Sequence, residues 1–162
     1  MAIQVGDRVP DVALLTLDPQ GQPRPVSTAE LFRGKRAVLI AVPGAFTPTC
    51  SDHHLPGYVL RAEEILAKGV ELIACVAVND PFVMGAWGKA RGTGGKVLMV
   101  ADGNGDFARA MGLEVDLSRF GLGRRSQRYA ALVEDGTVRA LHVEQPGKLE
   151  VSTADAILAD LS

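Results

Sequence analysis

Apolar positions along the chain fall into short dense blocks separated by turn residues. Residues 12–17 form one block, closed by Asp18-Pro19-Gln20-Gly21, and read as a strand. Residues 37–42 and 70–78 are almost unbroken apolar runs, the pattern of strands buried on both faces. Residues 97–100 give a further strand, and 128–134 and 137–143 flank Asp135-Gly136, a two-residue hairpin signal. Helical spacing fills the intervals. Ser27 and Glu30 make an S-x-x-E capping box for a short helix through Phe32, stopped at Gly34. A longer helix is predicted from Cys50 to about Lys68, with Thr49 as N-cap and Asp52 as its acidic partner. Pro56 lies inside it and predicts a kink. Val59, Ala62, Ile65 and Leu66 form its inward stripe.

Asp80 as N-cap and Pro81 at the first helical position open another helix, to about Lys89. A short one over residues 107–111 stops at Gly112, and Ser152 or Thr153 caps the last, 154–161. Residues 114–127 read as irregular. The strand at 37–42, the helix after it and the strand at 70–78 predict a right-handed βαβ unit.

Composition narrows the class. A chain of 162 residues without internal repeat or linker suits a single domain over residues 1–162, and 47% hydrophobic content argues against disorder. A net charge of -2 gives no reason to expect nucleic acid or an anionic membrane as partner. No apolar run reaches 18 residues, and the N-terminus lacks a basic-then-apolar signal pattern. With only two cysteines a disulfide scaffold is not expected, so a reducing, cytoplasmic setting is the default. A processed organellar form would read the same.

The candidate chemistry lies where the strand ending at Val42 meets Pro43-Gly44 and the next helix begins. Cys50 falls in the first turn of that helix, where unpaired N–H groups and the helix dipole favour an anion. Thiols in such positions deprotonate more readily, and the thiolate is the reactive form. Thr47-Pro48-Thr49-Cys50 keeps one sulfur of a Cys-x-x-Cys motif and puts a hydroxyl in place of the other. A lone thiolate beside a hydroxyl suits attack on a peroxide oxygen better than dithiol–disulfide exchange.

Pro43, Thr47 and Cys50 match P-x-x-x-T-x-x-C, and the chain thereby resembles the peroxiredoxins. The fuller string from Pro43 to Cys50, with Leu55-Pro56-Gly57-Tyr58, residues 78–83 and the segment around Arg128-Tyr129-Ala130, resembles the type-five subgroup, called type II in plants. The element order, with its late hairpin, fits an α/β sandwich of thioredoxin-like fold with an N-terminal β addition. The resemblance implies a thiol-dependent peroxidase acting on hydrogen peroxide and alkyl hydroperoxides through a Cys50 sulfenic acid. By the same resemblance Thr47 orients the peroxide and contacts the thiolate, Pro43 shields it from water, and Arg128 is the active-site arginine. His54 is implied in a supporting hydrogen bond. Glutathione with glutaredoxin, or thioredoxin, is the implied reductant, and a homodimer the implied assembly, with no prosthetic group.

Two rivals remain at this level. A thiol–disulfide oxidoreductase would want Cys at position 47, and a redox sensor or holdase-like binding protein would oxidise at Cys50 without turnover. On the residues alone, Arg124, Arg125 and Arg128 read as a solvated basic patch; the strand-start position and the resemblance single out Arg128. Cys50, His53 and His54 share a helix face, but no fourth metal ligand is evident. Asp102-Gly103-Asn104-Gly105-Asp106 imitates a calcium loop but lacks its glycine, leaving a turn and helix cap. Trp87 and Phe82 read as core or interface packing, and His142 as structural. Cys75 lies about four residues, roughly 13 Å, short of the strand end facing Cys50. No resolving cysteine is therefore expected, Cys75 being the alternative, and an external thiol closes the cycle.

Overall fold

The computed structural model describes residues 1–161. One seven-stranded mixed sheet carries the fold, in the order β2-β1-β5-β4-β3-β8-β9. Its strands are β1 (Ala13–Leu17), β2 (Pro23–Ser27), β3 (Arg36–Ala41), β4 (Leu72–Ala77), β5 (Leu98–Ala101), β8 (Tyr129–Glu134) and β9 (Thr137–Val143). β6 (Glu114–Asp116) and β7 (Arg124–Ser126) pair apart from it, so the stretch read as irregular holds a small antiparallel ribbon. β2, rich in proline and arginine, carried no strand signal; it lies at the sheet edge, where proline is tolerated.

β3, β4 and β5 run parallel, and β8 runs antiparallel to β3. Both faces are covered, which explains the unbroken apolar runs. Val38, Ile40 and Val42 pack with α2 (Leu55–Ala67), α3 (Pro81–Ala90) and α5 (Ala154–Asp160). Ala37, Leu39 and Ala41 point the other way, against α1 (Thr28–Phe32) and α4 (Asp106–Met111). Burying each larger aliphatic side chain contributes about 1.5–3 kcal/mol. β3 is thus a rigid post for the loop that leaves its C-terminal end.

Local signals behave as the physics requires. Ser27 and Glu30 form the capping box, Asp80 accepts from Val83 N–H, and Thr153, not Ser152, caps the last helix. Asp135 and Gly136 both have positive φ, 47° and 80°, as a type I′ hairpin turn demands. Asp102 caps α4 through bonds from the Phe107 and Ala108 N–H groups.

The start of the long helix differs from expectation. Thr49 has helical backbone angles, φ -64° and ψ -41°, and makes no capping bond, so neither it nor Asp52 caps the helix. Helical structure begins at Pro48, whose fixed φ suits a first helical position, and Ser51 N–H closes on Thr47 O at 2.8 Å. The expected irregularity falls ahead of Pro56, as a π-helical turn over Cys50–His54 whose last bond joins Leu55 N–H to Cys50 O. Widening the turn there lets Pro56 enter the first turn of α2, where its missing donor removes no ladder bond.

Candidate active site

Three pieces converge at the end of β3. The first is the loop 43–47. Phe46 has φ 63°, a left-handed conformation costing a bulky residue about 1–3 kcal/mol. Its ring lies against Trp87, with centroids 6.4 Å apart, and Asn79 Oδ1 at the end of β4 accepts Ala45 N–H at 2.9 Å. The second piece is the π turn, which buries Cys50 completely. Its neighbour Ser51 accepts two bonds through Oγ, from Trp87 Nε1 at 3.0 Å and from Arg91 Nε at 2.7 Å. α3 thereby clamps the turn from its far side.

The third piece is the residue before β8. Tyr129 pairs with Ala41, so Arg128 stands level with Val42, beside the start of the loop. Its Nη2 donates to Cys50 Sγ at 3.0 Å and its Nη1 donates to His54 Nδ1 at 2.9 Å. An arginine only donates, so His54 Nδ1 carries no proton. His54 Nε2 lies 2.9 Å from the Ser152 carbonyl, which only accepts, so Nε2 holds the proton. Both contacts select one neutral tautomer. Burial, then the Arg128 charge, lowers the His54 pKa to about 4, against the raising influence of Ser152 O and Glu144.

Thr47 departs from the expected contact. Its hydroxyl donates to Gly44 O at 2.7 Å instead of to the sulfur, because the loop folds that carbonyl over it. Pro43 is half-buried, and its carbonyl accepts Arg125 Nη1 at 3.4 Å. Arg125 thus braces the loop, and Arg124 pairs with Glu114 away from the sulfur. His53 is exposed, and among the described residues no three His, Cys, Asp or Glu side chains are grouped to hold a metal. Trp87 is fully buried, which is core packing, and Phe82 is 59% exposed, which leaves only the interface alternative for it. His142 ties β9 to α5 through Asp160, at 2.6 Å.

A cleft of about 650 Å³ opens beside these groups, lined by Pro43, Thr47 and Arg128 and by the apolar Leu117, Phe120 and Leu122. Ser51, Asn79, Arg91, Glu144 and Ser152 also belong to the site or its support, and none reads as a site residue in the sequence, where Ser152 figures only as a candidate helix cap. Their partners lie 34 to 98 positions away for the first three and Ser152, and no local pattern announces such pairings.

A family profile described as Redoxin matches residues 4–158. This chain belongs to that family, among the peroxiredoxins. It is 52% identical to the rice protein "Peroxiredoxin-2E-2, chloroplastic" (Oryza sativa subsp. japonica), over 98% of this chain and 72% of the relative. It is 47% identical to "Peroxiredoxin-2E, chloroplastic" of Arabidopsis thaliana, over 99% of this chain and 70% of the relative. The structure described as reduced Prx3 in complex with H2O2 from Vibrio vulnificus superposes with a TM-score of 0.94 at 51% identity, covering 99% of both chains. The plant type II side of the resemblance is the one these relatives' names carry. This peroxiredoxin has the thioredoxin-like α/β fold and is a thiol-dependent peroxidase. One expectation is corrected: two similar relatives are chloroplastic by name, so the cytoplasmic default drawn from the low cysteine count does not stand. A low cysteine count speaks to redox conditions and not to which compartment supplies them.

Proposed function

We propose that Cys50 is the thiol that attacks the peroxide. Its thiolate sulfur forms a bond to one peroxide oxygen while the O–O bond breaks, and the departing oxygen takes up a proton to leave as water or an alcohol. The observation that carries this reading is the Arg128 Nη2 donation to Cys50 Sγ at 3.0 Å, from a guanidinium that His54 holds in place. A fixed cation at the sulfur favours the thiolate and then offers donors to the oxygens as charge develops on them. The Thr47 proton is engaged by Gly44 O, so its oxygen faces the peroxide as an acceptor and orients its O–H. Pro43 covers the sulfur from the cleft side. The apolar wall of Leu117, Phe120 and Leu122 suits alkyl hydroperoxides alongside hydrogen peroxide.

The resulting Cys50 sulfenic acid condenses with an external thiol, releasing water and leaving a mixed disulfide, and a second thiol frees Cys50. Glutathione with glutaredoxin, or thioredoxin, supplies these thiols in this reading, Cys75 takes no part, and no metal or haem enters the chemistry. Residues 1–162 act as one domain and pair as a homodimer, for which the exposed rings of Phe46 and Phe120 offer apolar surface. No described helix is long and apolar enough to cross a membrane. Steady-state peroxide consumption with a panel of thiol reductants tests the whole reading. Turnover with at least one of them, lost in Cys50→Ser, is expected; oxidation that stops after one equivalent with every reductant contradicts it.

A further inference from the structure

Glu144, just past β9, is 7% exposed, and the peroxide chemistry has no direct use for it. Its Oε2 accepts the backbone N–H groups of Glu150, Val151 and Ser152 at 2.9, 2.9 and 2.8 Å, and the Ser152 hydroxyl at 2.7 Å. Three successive amides folded around one oxygen make an anion nest of the chain's own backbone. Burial alone would raise the Glu144 pKa, but these donors outweigh it and hold the carboxyl below its ordinary range.

The nest fixes one further group. The Ser152 carbonyl accepts His54 Nε2 and Tyr58 Oη, at 2.9 and 2.8 Å. From His54 the chain of bonds continues to Arg128 and then to Cys50 Sγ. Glu144 closes the loop a second way, since its own N–H donates to Arg128 O at 2.9 Å. We propose that Glu144 is a positioning residue for the peroxidase reaction: by gathering 150–152 around its carboxylate it sets the Ser152 carbonyl that selects the His54 tautomer able to hold Arg128 on the sulfur. Arg128 and Glu144 act on His54 by charge and Tyr58 meets its ring edge-on, while His53, Arg61 and Asp155 line a pocket with it; among these groups only Arg128 donates to its Nδ1.

Without the nest, the Ser152 carbonyl is released and His54 is free to carry its proton on Nδ1. That nitrogen then repels the arginine instead of accepting from it, and the guanidinium loses its register on Cys50. Misplacement of an ångström at such a group costs up to about 10²-fold in rate.

The inference rests on Cys50 being the attacking thiol, so the test reads Cys50 alkylation separately from turnover. In Glu144→Ala, single-turnover reaction with hydrogen peroxide should slow by about tenfold, and the pH profile of Cys50 alkylation should move to higher pH. Glu144→Gln, whose amide oxygen still accepts the N–H groups, should recover most of both. Glu144→Ala with a lowered melting temperature but an unchanged rate and alkylation profile would make Glu144 a brace only and overturn the proposal. A Cys50→Ser enzyme that still turns over, with the Glu144→Ala alkylation shift intact, would remove the attacking role of Cys50 and leave the network standing. Nitrogen-15 NMR of the unaltered protein gives a check that needs no variant. His54 should show the Nε2–H tautomer and no titration above pH 5, whereas an Nδ1–H tautomer or a titration midpoint near 6.5 overturns the assignment.

Discussion

The two cysteines are both fully buried, yet they sit in opposite chemical surroundings. Cys75 lies in the middle of β4 beside Ile40 of β3, among apolar side chains, and burial, with the nearby Cys50 adding to it, pushes its thiol far above the ordinary range. Cys50 occupies a π-helical turn with a guanidinium 3.0 Å from its sulfur. Burial therefore does not separate a structural from a reactive cysteine. The difference is a fixed donor: the Arg128 guanidinium bonds the Cys50 sulfur directly, whereas at Cys75 the same charge acts only from a distance and burial prevails. Regular sheet hydrogen bonding leaves no room for such a donor at Cys75, whereas a helix start beside a strand end brings three elements together at Cys50.

The comparison breaks first at the sulfurs themselves. Cys50→Ser should abolish peroxide turnover, while Cys75→Ala should leave the first peroxide-reduction step unchanged; stopped-flow consumption of hydrogen peroxide decides, and the reverse outcome would exchange their roles. Next in size, Arg128→Ala removes the donor that distinguishes the two sites. It should slow the peroxide step by about 10²-fold, with Arg128→Lys recovering little because one ammonium cannot serve both Sγ and His54. Mass spectrometry after one equivalent of peroxide without reductant should find oxidised Cys50 and free Cys75. A dominant intrachain bridge between them would contradict the external-thiol cycle.

A smaller effect concerns stability. His54 binds its proton more weakly folded than unfolded, so the unfolded state takes up the extra proton as pH falls. Stability should be complete above about pH 6.5 and decline toward pH 4, by on the order of 3 kcal/mol over the window. Glu144, whose pKa is lowered, adds a further loss as it protonates at more acid pH. Chemical denaturation across pH measures the slope, and His54→Gln should flatten its upper part. Smallest of all, Cys75→Ala should cost about 1–2 kcal/mol of stability through the small cavity it leaves, readable in the same denaturation curves.

Much of the fold was legible because its signals are local. The apolar runs of β3 and β4, the Asp135-Gly136 turn, the Ser27 box and the Asp80-Pro81 helix start depend on neighbours a few positions away. The candidate nucleophile was legible for the same reason: Pro43, Thr47 and Cys50 lie within one strand end and one helix turn. The cap at Thr49 was misread because Pro48 already serves as first helical residue, so that Thr49 has helical backbone angles. The direction of the Thr47 hydroxyl and the edge strand β2 left no trace either, although both are local: the first follows from the backbone path of the loop 44–47, and the prolines of β2 mask its pairing with β1.

By itself the sequence determined most of the order of elements, β2 and the β6–β7 ribbon excepted, together with the single sulfur at the helix start and the family. The tertiary structure decided what surrounds that sulfur. The antiparallel register that sets Tyr129 against Ala41 brings Arg128 to Cys50, and a carboxylate 90 positions beyond His54 is joined to it through Ser152. Strand register and the closure of long loops depend on which faces pack together, and that information is spread over the whole core.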